Sequence, residues 1–141
     1  METPQVVVAV IVLHNKSLLL GKDTASGFWT LPKGGVQKFQ GLQAVAQTAV
    51  FETTGISTQV TGSIFVSENI EPPDLHQVII VTMGDPKKGA DLTPIPRPDI
   101  FSEVKWVDFR EIGEYQETVD NVTADAIMKF GIYLKSKAQG M

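Results

Sequence analysis

The stretch that most constrains the fold of this chain is residues 31–56, which reads LPKGGVQKFQGLQAVAQTAVFETTGI. A short extended segment leads into a glycine-rich polar loop, and an amphipathic run follows over residues 42–54. Its apolar residues recur at i, i+3, i+4, i+7 and i+8, the spacing that places side chains on one buried stripe of a helix. They are Leu42, Val45, Ala46, Ala49 and Val50. Gly55 then suits the left-handed conformation that ends a helix. The pattern predicts a polar loop held against one helix.

Length and composition restrict the remaining possibilities. The chain has 141 residues, 43% of them apolar, which is enough for one packed core and too few for two ordinary domains. We therefore expect a single domain over residues 1–141. The net charge is −4 and the pI is near 5.1, which argues against binding to nucleic acid, because protein surfaces that bind nucleic acid are usually basic. The chain has no cysteine, which excludes disulfides, thiol catalysis and cysteine metal sites.

The N-terminal sequence METPQVVVAVIVL does not resemble an export signal. It has an acidic residue and a proline where a signal peptide carries basic residues, and it has no small-residue cleavage site. Its apolar run, residues 6–13, is far shorter than the roughly 20 residues that a membrane-spanning helix needs. We expect a buried strand there, no membrane association, and a cytoplasmic protein.

The rest of the chain reads as a mixture of strands and helices. Residues 6–13 and 17–20 predict a hairpin, because a polar turn, His14-Asn15-Lys16, separates two apolar runs. Further strands are predicted over residues 28–31, 58–66, 78–83 and 104–109. A closing helix capped by Thr118 or Asp120 would bury a stripe of apolar side chains. They are Val122, Ala126, Ile127, Phe130 and Leu134. The order of these elements fits an α/β/α sandwich with a mixed sheet.

Three segments are predicted to be irregular. Residues 67–76 contain Pro72-Pro73, which forbids regular structure there and places Glu68, Glu71 and Asp74 on a loop or a strand end. Residues 84–99 contain four prolines, and a long loop of this kind is more often a lid or a binding loop than a spacer. Residues 135–141 are predicted to be a frayed end.

Residues 34–56 resemble the Nudix box, the loop and helix signature of the Nudix superfamily. Its pattern is Gly, five residues, Glu, seven residues, Arg-Glu-apolar-any-Glu-Glu-any-Gly-apolar. Without a gap, the pattern begins at Gly34 and places one late Glu on Glu52 and its closing Gly on Gly55. The FWTLPKGG entry and the later EVKWVDF segment also resemble the family. The resemblance implies the same α/β/α sandwich.

The box departs from the pattern at the positions that carry its chemistry. The early Glu falls on Gln40, the Arg on Thr48, the Glu beside it on Ala49, and the second late Glu on Thr53. Gln40 has the shape of a glutamate without its charge, so it is suited to holding the loop by hydrogen bonds.

In active members of the family, helix carboxylates hold Mg²⁺ or Mn²⁺ against a diphosphate while water attacks phosphorus. By this resemblance Glu52 is the candidate metal ligand and catalytic residue, and an exposed helix acid is the alternative. Glu103 is the candidate replacement carboxylate, with an exposed strand-edge charge as its alternative. Glu68, Glu71 and Asp74 would form a substitute acidic site only if their loop folded over the box.

Six residues of the loop are candidates for binding a phosphorylated ligand: Lys33, Gly34, Gly35, Lys38, Phe39 and Gln40. Both lysines are able to contact phosphate, although a plain surface role is the alternative, above all for Lys38. The glycines favour turn geometry over close approach to a ligand. Phe28, Trp29, Phe39 and Trp106 are candidates for stacking on a flat ligand, and Phe39 is the one least typical of a core. His14 and His76 are taken as ordinary surface residues.

Three functions remain open at this point. The first is a divergent Nudix-fold protein that binds a nucleotide or another diphosphate-containing ligand, with weak or lost hydrolysis. The second is an active metal-dependent hydrolase of nucleoside diphosphates linked to another group. The third is a structural or dimerisation module, and a homodimer is compatible with all three. The first is favoured because losing a positioned base typically lowers a rate by a factor of about 100 to 10,000.

Overall fold

The computed structural model describes residues 4–115 and 118–139. In chain order the elements are β1 (Gln5–His14), β2 (Ser17–Asp23), β3 (Trp29–Thr30), β4 (Lys33–Gly35), α1 (Leu42–Thr54), β5 (Thr58–Glu71), β6 (Leu75–Pro86), β7 (Phe101–Asp108), a 3-10 helix (Phe109–Tyr115) and α2 (Asn121–Gln139). In this part of the chain, neither α-helix is long and apolar enough to cross a membrane.

The seven strands form one mixed sheet that is built on β1. The strand order is β3-β2-β1-β6-β5, with β4 added beside β1 and β7 added beside β2. β1 runs parallel to β6 from the Gln5–Gln77 pair to the Val12–Gly84 pair. It is antiparallel to β2 and β4. The predicted β1–β2 hairpin is confirmed, with Leu13 opposite Leu18.

The continuous apolar run of β1 is explained by burial on both faces. Val8, Val10 and Val12 pack in the cluster that contains Ala46 and Val50 of α1, which we call the α1-side core. The alternate residues Val7, Ala9 and Ile11 pack in the cluster that contains Phe130 of α2, which we call the α2-side core. Because successive side chains of a strand point to opposite faces, β1 joins the two cores. The predicted α/β/α sandwich with a mixed sheet is confirmed.

Helix α1 has the predicted bounds and the predicted end. Gly55 has φ 76°, in the left-handed region, and its N–H donates to the carbonyl of Phe51 at 2.9 Å. The buried face differs slightly from the predicted stripe, since Leu42 and Val45 are only partly buried. Thr53 and Thr54 are buried instead, and each hydroxyl donates to the carbonyl four residues earlier.

Helix α2 begins as predicted but extends further. The Asp120 carboxylate accepts a hydrogen bond from the Thr123 N–H at 2.8 Å, which caps the helix. Ala126, Ile127 and Phe130 are buried as expected, whereas Leu134 is 37% exposed. The helix continues to Gln139, so the predicted frayed end is wrong for residues 135–139. Residues 140–141 lie outside the described residues.

The predicted loop over residues 67–76 is wrong for most of its length. β5 continues to Glu71 and β6 starts at Leu75, and these two residues pair across the turn. The prolines fall within the turn itself, so they do not interrupt either strand. β5 and β6 also extend beyond the segments predicted for them, at residues 58–66 and 78–83.

The proline-rich segment after β6 forms hydrogen bonds with α1 and with β7. Its backbone N–H groups at Ile95 and Arg97 donate to the carbonyls of Thr54 and Thr53, at 2.8 and 3.4 Å. The carbonyl of Leu92 accepts from the Trp106 indole at 2.8 Å. The segment therefore packs across the C-terminal end of α1, and it contributes no residue to the pocket described below.

Candidate functional site

A pocket of about 580 Å³ lies between the loop that follows β4 and one side of α1. Its walls are backbone and side chains from the two parts of the box. The lining residues are Gly34, Gly35, Gln37, Phe39, Gln40, Gly41, Ala44, Val45, Thr48, Ala49 and Glu52. Four of the predicted ligand-binding residues, together with Glu52, are thus brought to one place.

The helical wall of the pocket presents one carboxylate. Ala44, Thr48 and Glu52 lie at i, i+4 and i+8, which places them on one side of α1. All three are exposed to solvent in the pocket. Sequence reasoning missed Gln37, Gly41, Ala44 and Val45 as pocket residues, although two steps of four residues back from Glu52 could have identified Ala44.

The loop wall is fixed by hydrogen bonds of Gln40. Its side-chain oxygen accepts from the Gln37 N–H at 2.9 Å, and its own N–H donates to the Gln37 carbonyl at 3.1 Å. The structural role expected of Gln40 is therefore present. The loop then enters α1 through Gly41, and no side chain of the described residues caps the first turn of the helix.

The two glycines of the loop entry form strand β4, opposite Val8 and Val7 of β1. A Cβ added at Gly34 would lie 3.0 Å from the Cβ of Ala49. Gly34 is therefore needed for the close approach of β4 to α1, and the expected turn geometry is wrong for both glycines because neither belongs to a turn.

The two lysines of the loop lie outside the lining of the pocket. The ammonium of Lys33 is 3.9 Å from the Asp120 carboxylate at the start of α2. The ammonium of Lys38 lies 5.1 Å from the ring centroid of Phe39. Lys38 is thus next to the pocket rim, whereas Lys33 contacts Asp120 at the start of α2.

The candidate Glu103 lies on β7, opposite Lys22 of β2, and is exposed. It shares a strand face with Lys105, whose ammonium is 5.4 Å from the Trp29 ring in the α2-side core. Glu103 is not one of the described residues that line the pocket. The structure therefore does not bring Glu103 and Glu52 together in this pocket.

The predicted substitute acidic site does not form over the box. The Glu68 carboxylate is 3.0 Å from Nε2 of His76 across the β5–β6 pair. Glu71 and Asp74 line two other pockets, and neither lines the pocket with Glu52. These three acids occupy strand β5 and the turn that follows it.

The donor set of the pocket does not fit a resident magnesium ion. Mg²⁺ requires oxygen ligands in near-octahedral geometry and is usually held by one or two carboxylates together with substrate phosphates. Among the described residues that line the pocket, Glu52 is the one acidic side chain, beside the neutral Gln37, Gln40 and Thr48. Among residues 4–115 and 118–139, no group of three or more His, Asp and Glu side chains is placed to hold a metal ion.

The family model for the NUDIX domain matches residues 3–129. The chain belongs to the Nudix family. No curated protein sequence is significantly similar to the chain. Hydrolases of the Nudix family generally depend on divalent metal ions.

Solved Nudix structures share the fold. A MutT Nudix hydrolase from Burkholderia pseudomallei is 20% identical, with 90% of this chain and 98% of that chain covered and a TM-score of 0.77. A MutT protein from Methanosarcina mazei is 23% identical, with 96% and 99% covered and a TM-score of 0.76. The Nudix domain of Shewanella oneidensis NrtR, solved with ADP ribose, is 14% identical, with 95% and 90% covered and a TM-score of 0.73.

The altered positions of the Nudix box fall into two groups in the structure. Gln40, Thr48 and Ala49 line the pocket beside Glu52. Thr53 is 5% exposed and its hydroxyl donates to the Ala49 carbonyl at 2.7 Å, so it faces the interior. Three of these residues thus lie in the pocket, and the fourth is part of the interior.

Among the aromatic candidates, only two are well exposed in the described residues. Trp29 is buried in the α2-side core, and Trp106 packs against the α1-side core. Phe28 is 45% exposed, beside a second pocket of about 320 Å³ near the start of α2. Phe39 is 94% exposed at the rim of the Glu52 pocket, as the sequence indicated for a loop-tip residue.

Proposed function

We propose that this Nudix protein binds a nucleotide or another diphosphate-containing ligand in the pocket between the β4–α1 loop and α1, and has weak or no diphosphohydrolase activity. The observation that carries the proposal is the lining of the pocket, in which Glu52 is the one acidic side chain. Hydrolysis in the family depends on metal ions, and a single carboxylate holds such an ion poorly.

The charge of the pocket favours binding over cleavage. A cluster of carboxylates repels phosphate until metal ions neutralise it, whereas one carboxylate repels it far less. The first turn of α1 contributes backbone N–H groups that no described side chain caps, and such groups attract anions. Lys38, at the rim, adds a positive charge. A phosphorylated ligand is therefore expected to bind without a metal ion.

A nucleotide-type ligand is supported by the structural relatives. The NrtR Nudix domain has the same fold and was solved with ADP ribose. Its identity to this chain is too low to transfer the ligand itself, so the proposal extends to the class of ligand and not to ADP ribose.

The test is phosphorus NMR of the purified protein with a panel of phosphorylated compounds. The panel contains nucleoside triphosphates, dinucleoside polyphosphates, nucleoside diphosphate-linked compounds and ADP-ribose, each with EDTA, Mg²⁺ or Mn²⁺. We expect line broadening in EDTA for at least one compound and no new phosphorus signals with either metal.

A Glu52→Gln variant serves as the control. Metal-dependent cleavage that disappears in this variant would contradict the proposal and support an active hydrolase. Absence of broadening for every compound would instead support a structural module without a small ligand.

A further inference from the structure

Phe39 combines two unfavourable features at the rim of the pocket. Its backbone has φ 69°, in the left-handed region where a Cβ is crowded. Its side chain is 94% exposed, so the ring gains almost nothing from burial. A residue that is both strained and exposed is not explained by the stability of the fold, and such outliers concentrate at ligand sites.

The ring is held in place by its neighbours. Gln37 and Gln40 close the turn around Phe39 through two hydrogen bonds, at 2.9 and 3.1 Å. The ammonium of Lys38 lies over the ring at 5.1 Å from its centroid, a cation–π contact. One face of the ring is thus paired with a cation, while 94% of the side chain remains exposed at the rim of the pocket.

The dimensions of the pocket fit a ligand with a flat ring at one end and phosphates at the other. Ala44 and Glu52 are eight residues apart on α1, which corresponds to about 12 Å along the helix. Phe39 lies at the loop side of this wall, near the N-terminal end of α1. A base on Phe39 leaves the backbone at Gly34, which packs against Val45 and Ala49 further along α1, for the phosphates.

We propose that Phe39 selects ligands that carry an aromatic base, by stacking the base on its exposed ring. This inference rests on the proposed function of the same pocket. Stacking on an aromatic side chain is tolerant of base identity because every base has a π-face. The predicted ligand class is therefore nucleoside diphosphates, with purines bound more tightly than pyrimidines because they stack over a larger area.

The test is isothermal titration calorimetry with ADP and with inorganic pyrophosphate, both in EDTA. The proteins are the wild type, Phe39→Ala, Phe39→Gly and Phe39→Trp. We expect Phe39→Ala and Phe39→Gly to bind ADP more weakly by a factor of about 5 to 150, the range for loss of one stacked base. Pyrophosphate, which has no base, binds all four proteins equally, and Phe39→Trp retains ADP binding.

A thermal melt of the same variants separates recognition from folding. Phe39→Gly removes the left-handed strain, so its Tm rises although its ADP affinity falls. Equal ADP binding by the wild type and Phe39→Ala overturns the inference alone. Parallel loss of ADP and pyrophosphate also overturns it, because the ring would then only shape the loop. If the wild type binds neither compound, the proposed function and this inference fall together.

Discussion

At the scale of single residues, the charge of the pocket depends on a few exposed side chains outside the buried clusters. Thr48 and Gln40 are exposed and line the pocket, and neither belongs to a buried cluster. Glu52 is one helical turn from Thr48, so a carboxylate at position 48 would stand beside it. The capacity to hold a metal is thus separable from stability at these positions.

The double variant Gln40→Glu and Thr48→Glu is expected to create metal binding. It gives the pocket three carboxylates, and hard divalent cations bind more tightly where more carboxylate oxygens are available as ligands. We expect Mn²⁺ to bind about tenfold or more tightly than to the wild type, measured by electron paramagnetic resonance of free Mn²⁺. Ile132→Glu, at an exposed site on α2, adds charge elsewhere and is the control. Equal gains in both proteins would mean that the pocket geometry is irrelevant.

A second residue-scale prediction concerns Asp108 at the end of β7. The Arg110 side chain and backbone donate hydrogen bonds to its carboxylate, which lowers the pKa of Asp108 from 3.8 to about 2. Because the pKa of Asp108 is lower in the folded protein, ionisation of Asp108 stabilises the fold at pH values above its ordinary pKa. This contribution is lost as the pH falls from about 4 to about 2. An NMR titration of the carboxyl group measures this directly.

Arg110→Gln removes the side-chain donor and should return the pKa of Asp108 towards 3.8. The difference in urea midpoint between the wild type and this variant should be present at pH 6 and should shrink at pH 2. An unchanged titration in the variant would show that the guanidinium does not set the pKa.

At the scale of elements, the end of α1 depends on one glycine and on the segment that packs against it. Gly55→Ala places a Cβ in a left-handed residue, at a cost of roughly 1–2 kcal/mol. That Cβ would also lie 3.1 Å from the Cβ of Ile95 in the proline-rich segment. We expect a lower free energy of unfolding by about that amount or more in urea denaturation.

Gly131→Ala in α2 is the matched control for this prediction. An added Cβ there meets no atom within 4 Å, and alanine stabilises a helix interior by roughly 0.5–1 kcal/mol relative to glycine. The two substitutions should therefore change stability in opposite directions. Stabilisation by Gly55→Ala would contradict the left-handed geometry of residue 55.

The sequence predicted those elements whose signals are local. The bounds of α1 and the Gly55 terminus follow from spacing and capping chemistry, and the structure has both. Capping chemistry left Thr118 and Asp120 as alternatives for α2, and the structure has Asp120 in this role. The sequence did not predict the full length of β5. Pro72-Pro73 predicts a break over residues 67–76, whereas in the structure the prolines occupy only the turn between β5 and β6. Pairing of Glu71 with Leu75 is a property of two strands together and leaves no local signal.

The candidate site was predicted only in part, because some of its geometry depends on how separate elements pack together. The Nudix box identified the loop, Glu52 and the exposure of Phe39. The face of β4 was missed, because the sequence did not indicate that Lys33 and Gly34 belong to a strand and therefore point to opposite sides. The closeness of Gly34 to Ala49 depends on how the strand packs on the helix, which spacing along the chain does not encode.

At the scale of the whole molecule, β1 couples the two cores. Its alternate residues belong to the α1-side and α2-side clusters, so loss of β1 would expose both. The chain has two tryptophans, Trp29 on the α2 side and Trp106 on the α1 side. Each core therefore contains its own fluorescent probe.

We expect both cores to unfold in a single cooperative transition. In Trp29→Phe and Trp106→Phe variants, the remaining tryptophan reports one core only. In each variant, its fluorescence midpoint in urea should coincide with the midpoint by far-UV circular dichroism, as two-state unfolding requires. Fluorescence transitions that precede the loss of secondary structure on one side would show that the cores unfold separately.

The arrangement of α1 also has a consequence for how such a protein changes over generations. Ala46 and Val50 hold the helix on the sheet, while Ala44, Thr48 and Glu52 face the pocket. Mutations of the second set leave the first set intact, so a lineage can exchange ionisable side chains there one at a time and remain folded at each step. The charge of the pocket can therefore change gradually at these three positions while the fold is kept.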